Sequence, residues 1–296
     1  MMVWTLKKAA GLAAALPPGA AKALARHWGW LLAHVLRVRR RYVLATLAQC
    51  FPEKPAAERR AVYAAMCTHQ ALNLMELIQF AGGRDAELGA KLEMHGEEIV
   101  QAALARGHGA LIMLAHYGNY DLMGLYAATL FRYPVTIITK ILKNSVINQL
   151  WDGLRRKSGL NVLPAHNAYR ACVRALKQNG LVGFMFDQNR PSSHGVFVDF
   201  FGRPASTTPG LAFMSAQTGA PVVPAFMRRT PEGRHVLEVK PLLEPPPDRR
   251  PETLRAATAA YTKILEEEIR RYPEQWLWWH KRWKSRPPEE AASAAR

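Results

Sequence analysis

The chain has 296 residues, 49% of them hydrophobic and 21% charged, which is enough apolar surface for a large core and excludes an intrinsically disordered protein. Its formal net charge of +17 favours a polyanionic partner: nucleic acid, an anionic membrane surface, or an acidic carrier or substrate. Cys50, Cys67 and Cys172 lie far apart without C-x-x-C spacing. This pattern indicates a reducing compartment and excludes a structural zinc site.

The first forty residues predict a basic amphipathic helix. Pro17 and Pro18 interrupt the segment, and its longest clean apolar run, residues 28–36, is far shorter than the ~20 residues that span a bilayer. A group of apolar residues shares one helical face: Leu24, Trp28, Leu31, Leu32, Val35 and Val38. Four arginines follow: Arg37, Arg39, Arg40 and Arg41. The segment either lies in a membrane interface or packs on the core with a solvated basic end.

Two regions follow from the pattern along the chain: membrane-associating helices over residues 1–54 and an α/β domain over residues 55–296. Residues 55–106 have helical spacing, and strand-like and helical stretches alternate after them. Strands are predicted at 109–116, 135–140, 161–164, 181–188, 195–202, 221–229 and 234–243. Helices are predicted near 119–130, 144–158, 168–179, 209–219 and 251–272. The alternation predicts an α/β fold with a mostly parallel central sheet flanked by helices.

The stretch "LAHYGNYDLM", residues 114–123, carries the strongest signal for chemistry. A predicted strand ends at His116, Asn119 is a plausible helix N-cap, and Asp121 falls in the first helical turn. In open α/β sheets the chemistry lies at the carboxyl ends of strands. A histidine and a carboxylate that meet across a short turn form the base and orienting group of an acyl-transfer site. Backbone N–H groups near Gly118 and Asn119 would then be placed to stabilise an oxyanion.

Further motifs follow in order: "FMFDQ", "GVFVDFFGRPASTTPG", "AQTGAPVVPAF" and "PEQWLWWHKRWKSRP". Together with "HYGNYD", this ordered set resembles the late-stage lipid A biosynthesis acyltransferases, within the wider H-x4-D/E glycerolipid and lysophospholipid acyltransferases. The stretch "LAQCFPEKPAAER" is similar to the family's N-terminal helical region, so the resemblance extends from about residue 40 to residue 287.

The resemblance implies an O-acyltransferase of glycerolipid acyltransferase-like fold that moves a fatty acyl chain from a thioester to a hydroxyl of a lipid A precursor or related glycolipid. Acyl carrier protein or coenzyme A would be the donor co-substrate, with no other cofactor and no metal. His116 matches the catalytic base and Asp121 its acidic partner, where relatives often carry Glu. Asp187 matches a second carboxylate beside the histidine.

Further residues carry looser assignments. Arg155 matches a basic residue that contacts the donor or the oxyanion, with Arg156 as its rival. Asn144 follows a strand and is predicted to line the same pocket. Thr207 and Thr208 are predicted to have structural roles. The apolar residues around these motifs are predicted to be core rather than an acyl-binding slot: Met113, Phe184, Met185, Phe186, Phe197, Phe200 and Phe201.

The tail interleaves Trp276, Trp278, Trp279 and Trp283 with basic residues, a pattern typical of the membrane headgroup level and also of single-stranded nucleic-acid binders. The alternative is that some of these tryptophans pack in the core. With the N-terminal helix, the pattern favours a peripheral or monotopic protein on the cytoplasmic face of an inner membrane. The partners expected are anionic lipid, acyl carrier protein and a glycolipid acceptor.

Three alternatives remain. In the first, the enzyme is an acyltransferase whose acceptor is another lipid, such as a lysophospholipid, an amino-acid lipid or a specialised glycolipid. A basic nucleic-acid-binding protein is less favoured because no helix-turn-helix, RRM, KH or zinc signature is present. The last alternative, a catalytically inactive membrane scaffold, conflicts with the intact H-x4-D motif.

Overall fold

A computed structural model describes residues 11–131, 133–139, 145–165 and 168–287. The helices are α1 Pro18–Trp30, α2 Arg40–Cys50, α3 Ala56–Ala81, α4 Asp85–Gly89, α5 Glu97–Leu104, α6 Tyr120–Phe131, α7 Ser145–Lys157, α8 Ala168–Lys177, α9 Gly210–Thr218 and α10 Pro251–Arg271. The strands are β1 Leu92–His95, β2 Ala110–Leu114, β3 Val135–Thr139, β4 Asn161–Pro164, β5 Leu181–Met185, β6 Val196–Phe200, β7 Arg203–Thr207, β8 Val222–Arg229 and β9 His235–Val239.

Seven strands form the central sheet in the order β1-β9-β8-β2-β5-β3-β4. Every neighbouring pair is parallel except β8 and β9. Strand β2 lies in the middle, and its side chains alternate between two buried apolar clusters: Leu111 and Met113 in one, Ala110 and Ile112 in the other. Burial of both faces explains why "ALIML" is continuously apolar. The prediction of a mostly parallel α/β sheet is confirmed.

The predicted helices and strands from residue 109 onward are found with small shifts at their ends. Two strands were not predicted. Strand β1 lies inside the stretch predicted as helical, and it pairs with β9 at the sheet edge. The predicted strand at 195–202 is the first arm of a hairpin, because the chain turns at Phe201 and Gly202 and returns as β7.

The N-terminal helix packs through small residues and exposes large ones. Ala21, Ala25 and Gly29 are buried, and they recur every four residues along α1. A Cβ at Gly29 would lie 2.5 Å from the Thr68 Cα of α3, so the two helices are in backbone contact there. Leu24 and Trp28, by contrast, are 40% and 51% exposed. The apolar face predicted from the sequence is therefore divided: Leu24, Trp28 and Val35 are exposed, whereas Leu31, Leu32 and Val38 are half-buried and Leu32 packs against the core.

The prediction that the tail tryptophans lie at the level of the lipid headgroups is wrong for Trp276 and Trp278. Trp276 and Trp278 are each 1% exposed, and their rings meet edge to face with centroids 4.6 Å apart. Trp279 and Trp283 pack partly against the same core. Arg282 is 1% exposed and donates to Ser206 O at 2.8 Å. These residues hold the tail to the sheet and are not placed to meet lipid headgroups.

Within the described ranges, no helix combines the length and apolarity needed to cross a bilayer. The three cysteines are free and buried.

Gly29→Ala should destabilise the protein, because the added methyl group overlaps the α3 backbone. We expect a loss of about 1–3 kcal/mol in the free energy of unfolding, as for other overpacked contacts. Gly19→Ala is the matched control in the same helix, since a Cβ there meets no atom within 4 Å. It should be neutral or stabilising by up to about 1 kcal/mol. Urea unfolding of both variants tests the close contact, and equal stabilities would contradict it.

Candidate active site

The sheet brings His116 and Asp187 together. Strands β2 and β5 are parallel neighbours, and Leu114 of β2 pairs with Met185 of β5. His116 and Asp187 each lie two residues beyond this pair, so they occupy matching positions at the carboxyl edge. The His116 Nδ1 lies 2.8 Å from Asp187 Oδ1, and the His116 backbone N–H donates to Oδ2 at 3.1 Å. Both the ring and the main chain of His116 are thus held by one carboxylate.

The tail completes this pair. Trp276 Nε1 donates to Asp187 Oδ2 at 2.9 Å, and the Leu277 N–H donates to the His116 carbonyl at 3.0 Å. The Asp187 side chain is 3% exposed. Because its Nδ1 faces Asp187, His116 keeps Nε2 as the ring nitrogen free to accept a proton.

The protonation states follow from the same contacts. Burial alone raises the pKa of Asp187, but the His116 charge and the hydrogen bonds from His116 and Trp276 outweigh it and lower that pKa to about 2. Burial lowers the pKa of His116, but the Asp187 charge and hydrogen bond, with the Asp121 charge, outweigh it and raise that pKa. Asp187 is therefore the fixed anion of the site.

Asp121 lies near this pair in a different environment. Burial raises the pKa of Asp121 to about 6, although the charges of Arg155 and His116 both act to lower it. No hydrogen bond joins Asp121 to His116 among the residues the structure describes. The H-x4-D turn therefore brings the second carboxylate within electrostatic range, while the direct ring partner is Asp187.

Of the two rival arginines, the structure places Arg155 beside Asp121. Burial lowers the pKa of Arg155, and the charges of Asp121 and Asp152 oppose this effect. Its guanidinium also lies 5.3 Å from the Trp151 ring centroid. Arg156 is exposed on α7. Asn144 lies outside the described residues.

Gly118 and Asn119 hold the turn, and the structure does not support a substrate-binding role for them. The Gly118 N–H, predicted near an oxyanion site, donates to Gln275 O at 2.9 Å. Asn119 is 1% exposed and accepts from the Leu122 N–H at 3.0 Å, so its predicted N-cap role is confirmed. Gly118 has a φ of 57°, and a Cβ there would lie 1.7 Å from Met227 O. Only glycine fits this turn.

A cleft of about 410 Å³ opens beside His116. Its walls are largely apolar and include Ile138, Tyr169, Phe184, Met185, Phe213 and Met214. Phe184 and Met185, predicted as core, line this cleft, whereas Met113 and Phe200 are fully buried in the core as predicted. The volume lies within the range of ligand pockets. An apolar cleft that ends on a histidine base suits a fatty acyl chain and its reactive carbonyl.

Two neighbouring residues of this edge were not predicted as site residues. The Gln188 side-chain nitrogen lies 3.3 Å from His116 Nε2, within hydrogen-bond distance, and Gln188 lines the cleft. His280 Nε2 accepts from the Asn189 N–H at 2.8 Å and anchors the loop that carries Gln188. The signal for Gln188 was its position directly after Asp187 in "FMFDQ". Nothing in the sequence spacing connects His280 with that loop.

The comparison with protein families decides the class. The model of the bacterial lipid A biosynthesis acyltransferases matches residues 1–285 of this chain. The chain belongs to the bacterial lipid A biosynthesis acyltransferases. They are membrane-associated enzymes.

Individual relatives agree with this assignment. A lipid A biosynthesis lauroyltransferase of Escherichia coli is 27% identical over 263 residues, covering 88% of this chain and 83% of the relative. A lipid A biosynthesis acyltransferase of Haemophilus influenzae is 25% identical, with 84% and 77% covered. A solved 1-acyl-sn-glycerophosphate acyltransferase, PlsC of Thermotoga maritima, matches 84% of this acyltransferase and 97% of its own chain, with 17% identity and a TM-score of 0.38.

Asp121→Asn should stabilise the folded protein at pH 8 and have little effect at pH 4. Because the folded-state pKa, about 6, is raised above the unfolded value, the stability tied to protonated Asp121 is present at low pH and is lost as pH rises through 6. The amide removes this loss, worth roughly 1–3 kcal/mol. Thermal unfolding across this pH range measures it.

The matched control for this measurement is Asp199→Asn, an exposed aspartate whose amide still accepts from the Gly202 N–H. Its unfolding curves should follow wild type at both pH values. A stability gain for Asp121→Asn that is equal at pH 4 and pH 8 would contradict the raised pKa.

Proposed function

We propose that this acyltransferase moves a fatty acyl group from an acyl thioester, carried by acyl carrier protein or coenzyme A, to a hydroxyl of a lipid A precursor or a related glycolipid. The single observation that carries the mechanism is the His116–Asp187 contact at 2.8 Å, which leaves Nε2 as the ring nitrogen not bonded to Asp187, beside a largely apolar cleft. The names of the relatives support the acceptor.

In the proposed reaction, His116 Nε2 takes the proton from the acceptor hydroxyl as its oxygen attacks the thioester carbonyl. Asp187 stabilises the imidazolium that forms and keeps Nδ1 protonated. When the tetrahedral intermediate collapses, the carbon–sulfur bond breaks and the thiolate takes the proton from His116. The products are an ester and a free thiol, so the atoms balance without a further reactant.

Direct attack suits this site better than an acyl-enzyme on cysteine. Burial raises the pKa of Cys50 to about 12 and those of Cys67 and Cys172 to about 11. Thiols in such surroundings are poor nucleophiles. The role of Arg155 in this scheme is electrostatic, since its positive charge acts on Asp121 and lowers the pKa of that carboxyl.

Membrane association is proposed through α1 and the arginines that follow it, on the cytoplasmic face of an inner membrane. Leu24 and Trp28 are exposed, as described above. Three further apolar residues of this segment are also exposed: Trp30 at 51%, Val35 at 57% and Leu36 at 60%. Arg37, Arg39 and Arg41 are exposed next to them. Aromatic and basic side chains on one exposed segment fit the headgroup region of an anionic bilayer.

His116→Ala should abolish acyl transfer, and Asp187→Asn should lower kcat by about 10²–10⁴-fold, the range typical of losing general-base assistance. The assay is turnover in detergent with labelled acyl-acyl carrier protein or acyl-CoA and three acceptors: a lipid A precursor, a lysophospholipid and an amino-acid lipid. His95→Ala, at an exposed histidine, is the matched control and should retain wild-type turnover. Full activity of His116→Ala would overturn the mechanism. Transfer only to another acceptor would overturn the lipid A assignment and keep the chemistry.

The pH profile gives a second test. The base must be neutral, so kcat should rise with pH through the pKa of His116, which Asp187 raises above its usual value. In Asp187→Asn this acid limb should move to lower pH, because the amide carries no charge to stabilise the imidazolium. An unchanged limb would contradict the assignment of Asp187 as the partner of the base.

Leu24→Ser with Trp28→Ser should weaken binding to vesicles containing phosphatidylglycerol by at least about tenfold, since burial of a large apolar side chain contributes about 1.5–3 kcal/mol. Tyr272→Ser, an exposed aromatic residue outside this segment, is the control. Co-flotation at two salt concentrations separates the apolar contribution from that of the arginines. Unchanged flotation of the double variant would overturn the proposed docking face.

A further inference from the structure

A buried polar cluster lies under the turn that carries His116. We define the buried clamp as Asn73 and Glu76 of α3, Arg229 of β8, His235 of β9 and Gln275 of the tail. The Glu76 and Arg229 side chains are 13% and 6% exposed and form a two-point ion pair, with Arg229 Nη2 donating to Glu76 Oε2 at 2.9 Å. His235 Nε2 lies 3.0 Å from the same oxygen.

The clamp binds both residues of the turn. Asn73 Nδ2 donates to Gly118 O at 2.6 Å, and Gln275 O accepts from the Gly118 N–H at 2.9 Å. Asn119 Nδ2 donates to Glu76 Oε2 at 2.6 Å. Both main-chain groups of Gly118 and the side chain of Asn119 are therefore held by residues far away in sequence.

The clamp is also bonded within itself. Arg229 Nη2 donates to Asn73 Oδ1 at 2.8 Å, which orients that amide toward Gly118. The Gln275 side chain accepts from the Arg229 N–H at 2.7 Å and donates to Arg229 O at 2.9 Å. Three separate segments of chain are thus fixed relative to one another and to the turn.

A buried ion pair is weak evidence for stability, because desolvation offsets much of the attraction. The effect of the clamp on geometry is clearer, because its side chains bond to Gly118 and Asn119, which lie two and three residues after His116. The clamp residues do not line the cleft beside His116; Glu76 and Arg229 instead line a separate cavity of about 620 Å³. They have no contact with the cleft in which the reacting groups would meet.

We propose that the buried clamp is a positioning device that holds His116 in register with Asp187, and that Asn73 and Glu76 act on catalysis only through this turn. The inference rests on the proposed function of His116 as the base. A displacement of about 1 Å far from the reacting atoms is enough to lower a rate by about 10²-fold.

The test compares wild type with Asn73→Ala and Glu76→Gln. Asn73→Ala removes the donor to Gly118 O and leaves the Glu76–Arg229 pair in place. We expect kcat to fall at least about tenfold with KM for donor and acceptor unchanged. Gln79→Ala is the matched control, because Gln79 is buried one turn further along the same helix and lines the same 620 Å³ cavity. Its kcat should equal that of wild type.

The pH profile separates positioning from general loosening of the fold. Asp187, Asp121, Tyr120, Gln188 and His280 face or influence His116, and Arg282 acts on it through Asp187. The contacts of Asp187 with the ring and main chain of His116 depend on the register of the turn, because His116 lies two residues before Gly118. In Asn73→Ala the acid limb of kcat should therefore move to lower pH by about half a unit or more. A merely structural role would lower the active fraction and leave that limb in place.

The outcomes are distinguishable. If wild type is inactive or His116→Ala retains turnover, the proposed function fails. If both behave as proposed and Asn73→Ala keeps wild-type kcat and pH profile, the clamp inference alone fails. Should Asn73→Ala not fold, Asn119→Ser carries the same test, because serine keeps the helix cap but is too short to reach Glu76. Wild-type kcat in that variant would equally overturn the inference.

Discussion

The structure of the site depends on one buried carboxylate. Asp187 accepts from the His116 ring, the His116 main chain and the Trp276 indole. These groups come from the end of β2, the end of β5 and the tail, so three parts of the chain must be in place for the contacts to form together. A charged group in this surrounding is stable only when its hydrogen bonds are complete. The hydrogen bonds of the site are therefore complete only when the tail is packed against the sheet.

Two carboxylates near one histidine have opposite surroundings. Asp187 is surrounded by hydrogen-bond donors, which lower its pKa to about 2, whereas burial raises that of Asp121 to about 6. The first is a permanent anion and the second can exchange a proton near neutral pH. Such a separation of pKa values assigns different tasks to chemically identical groups. Arg155 favours the ionised form of Asp121, so it influences how that proton is shared.

The central sheet could be predicted because its strands are short, continuously apolar and separated by helical spacing. His116 and Asp187 could be predicted because both follow such strands directly. Strand β1, "LEMH", could not, since it is a short edge strand with two exposed side chains. The β6–β7 turn was missed because Phe201 has a φ of 57°, a conformation that bulky residues rarely adopt. The residues next to Phe201 in sequence do not indicate that it adopts this conformation.

The tail shows the limit of composition as a guide. Alternating tryptophans and basic residues are typical of a headgroup region, but here Trp276 donates to Asp187 and Arg282 binds the backbone of β7. These contacts depend on residues 76 to 89 positions earlier, which no spacing rule connects. The buried clamp was missed for the same reason, because its five residues belong to three segments that are distant in sequence: one turn of α3, the end of the β8–β9 hairpin, and the tail.

The position of these contacts along the chain has a consequence for biosynthesis. Domains form as the polypeptide emerges, and Gln275, Trp276 and Leu277 are made after every helix and strand of the sheet. The His116 turn, made more than 150 residues earlier, lacks its partners until they arrive. A nascent chain that has not yet reached residue 275 therefore lacks the groups that hold the His116 turn and complete the hydrogen bonds of Asp187.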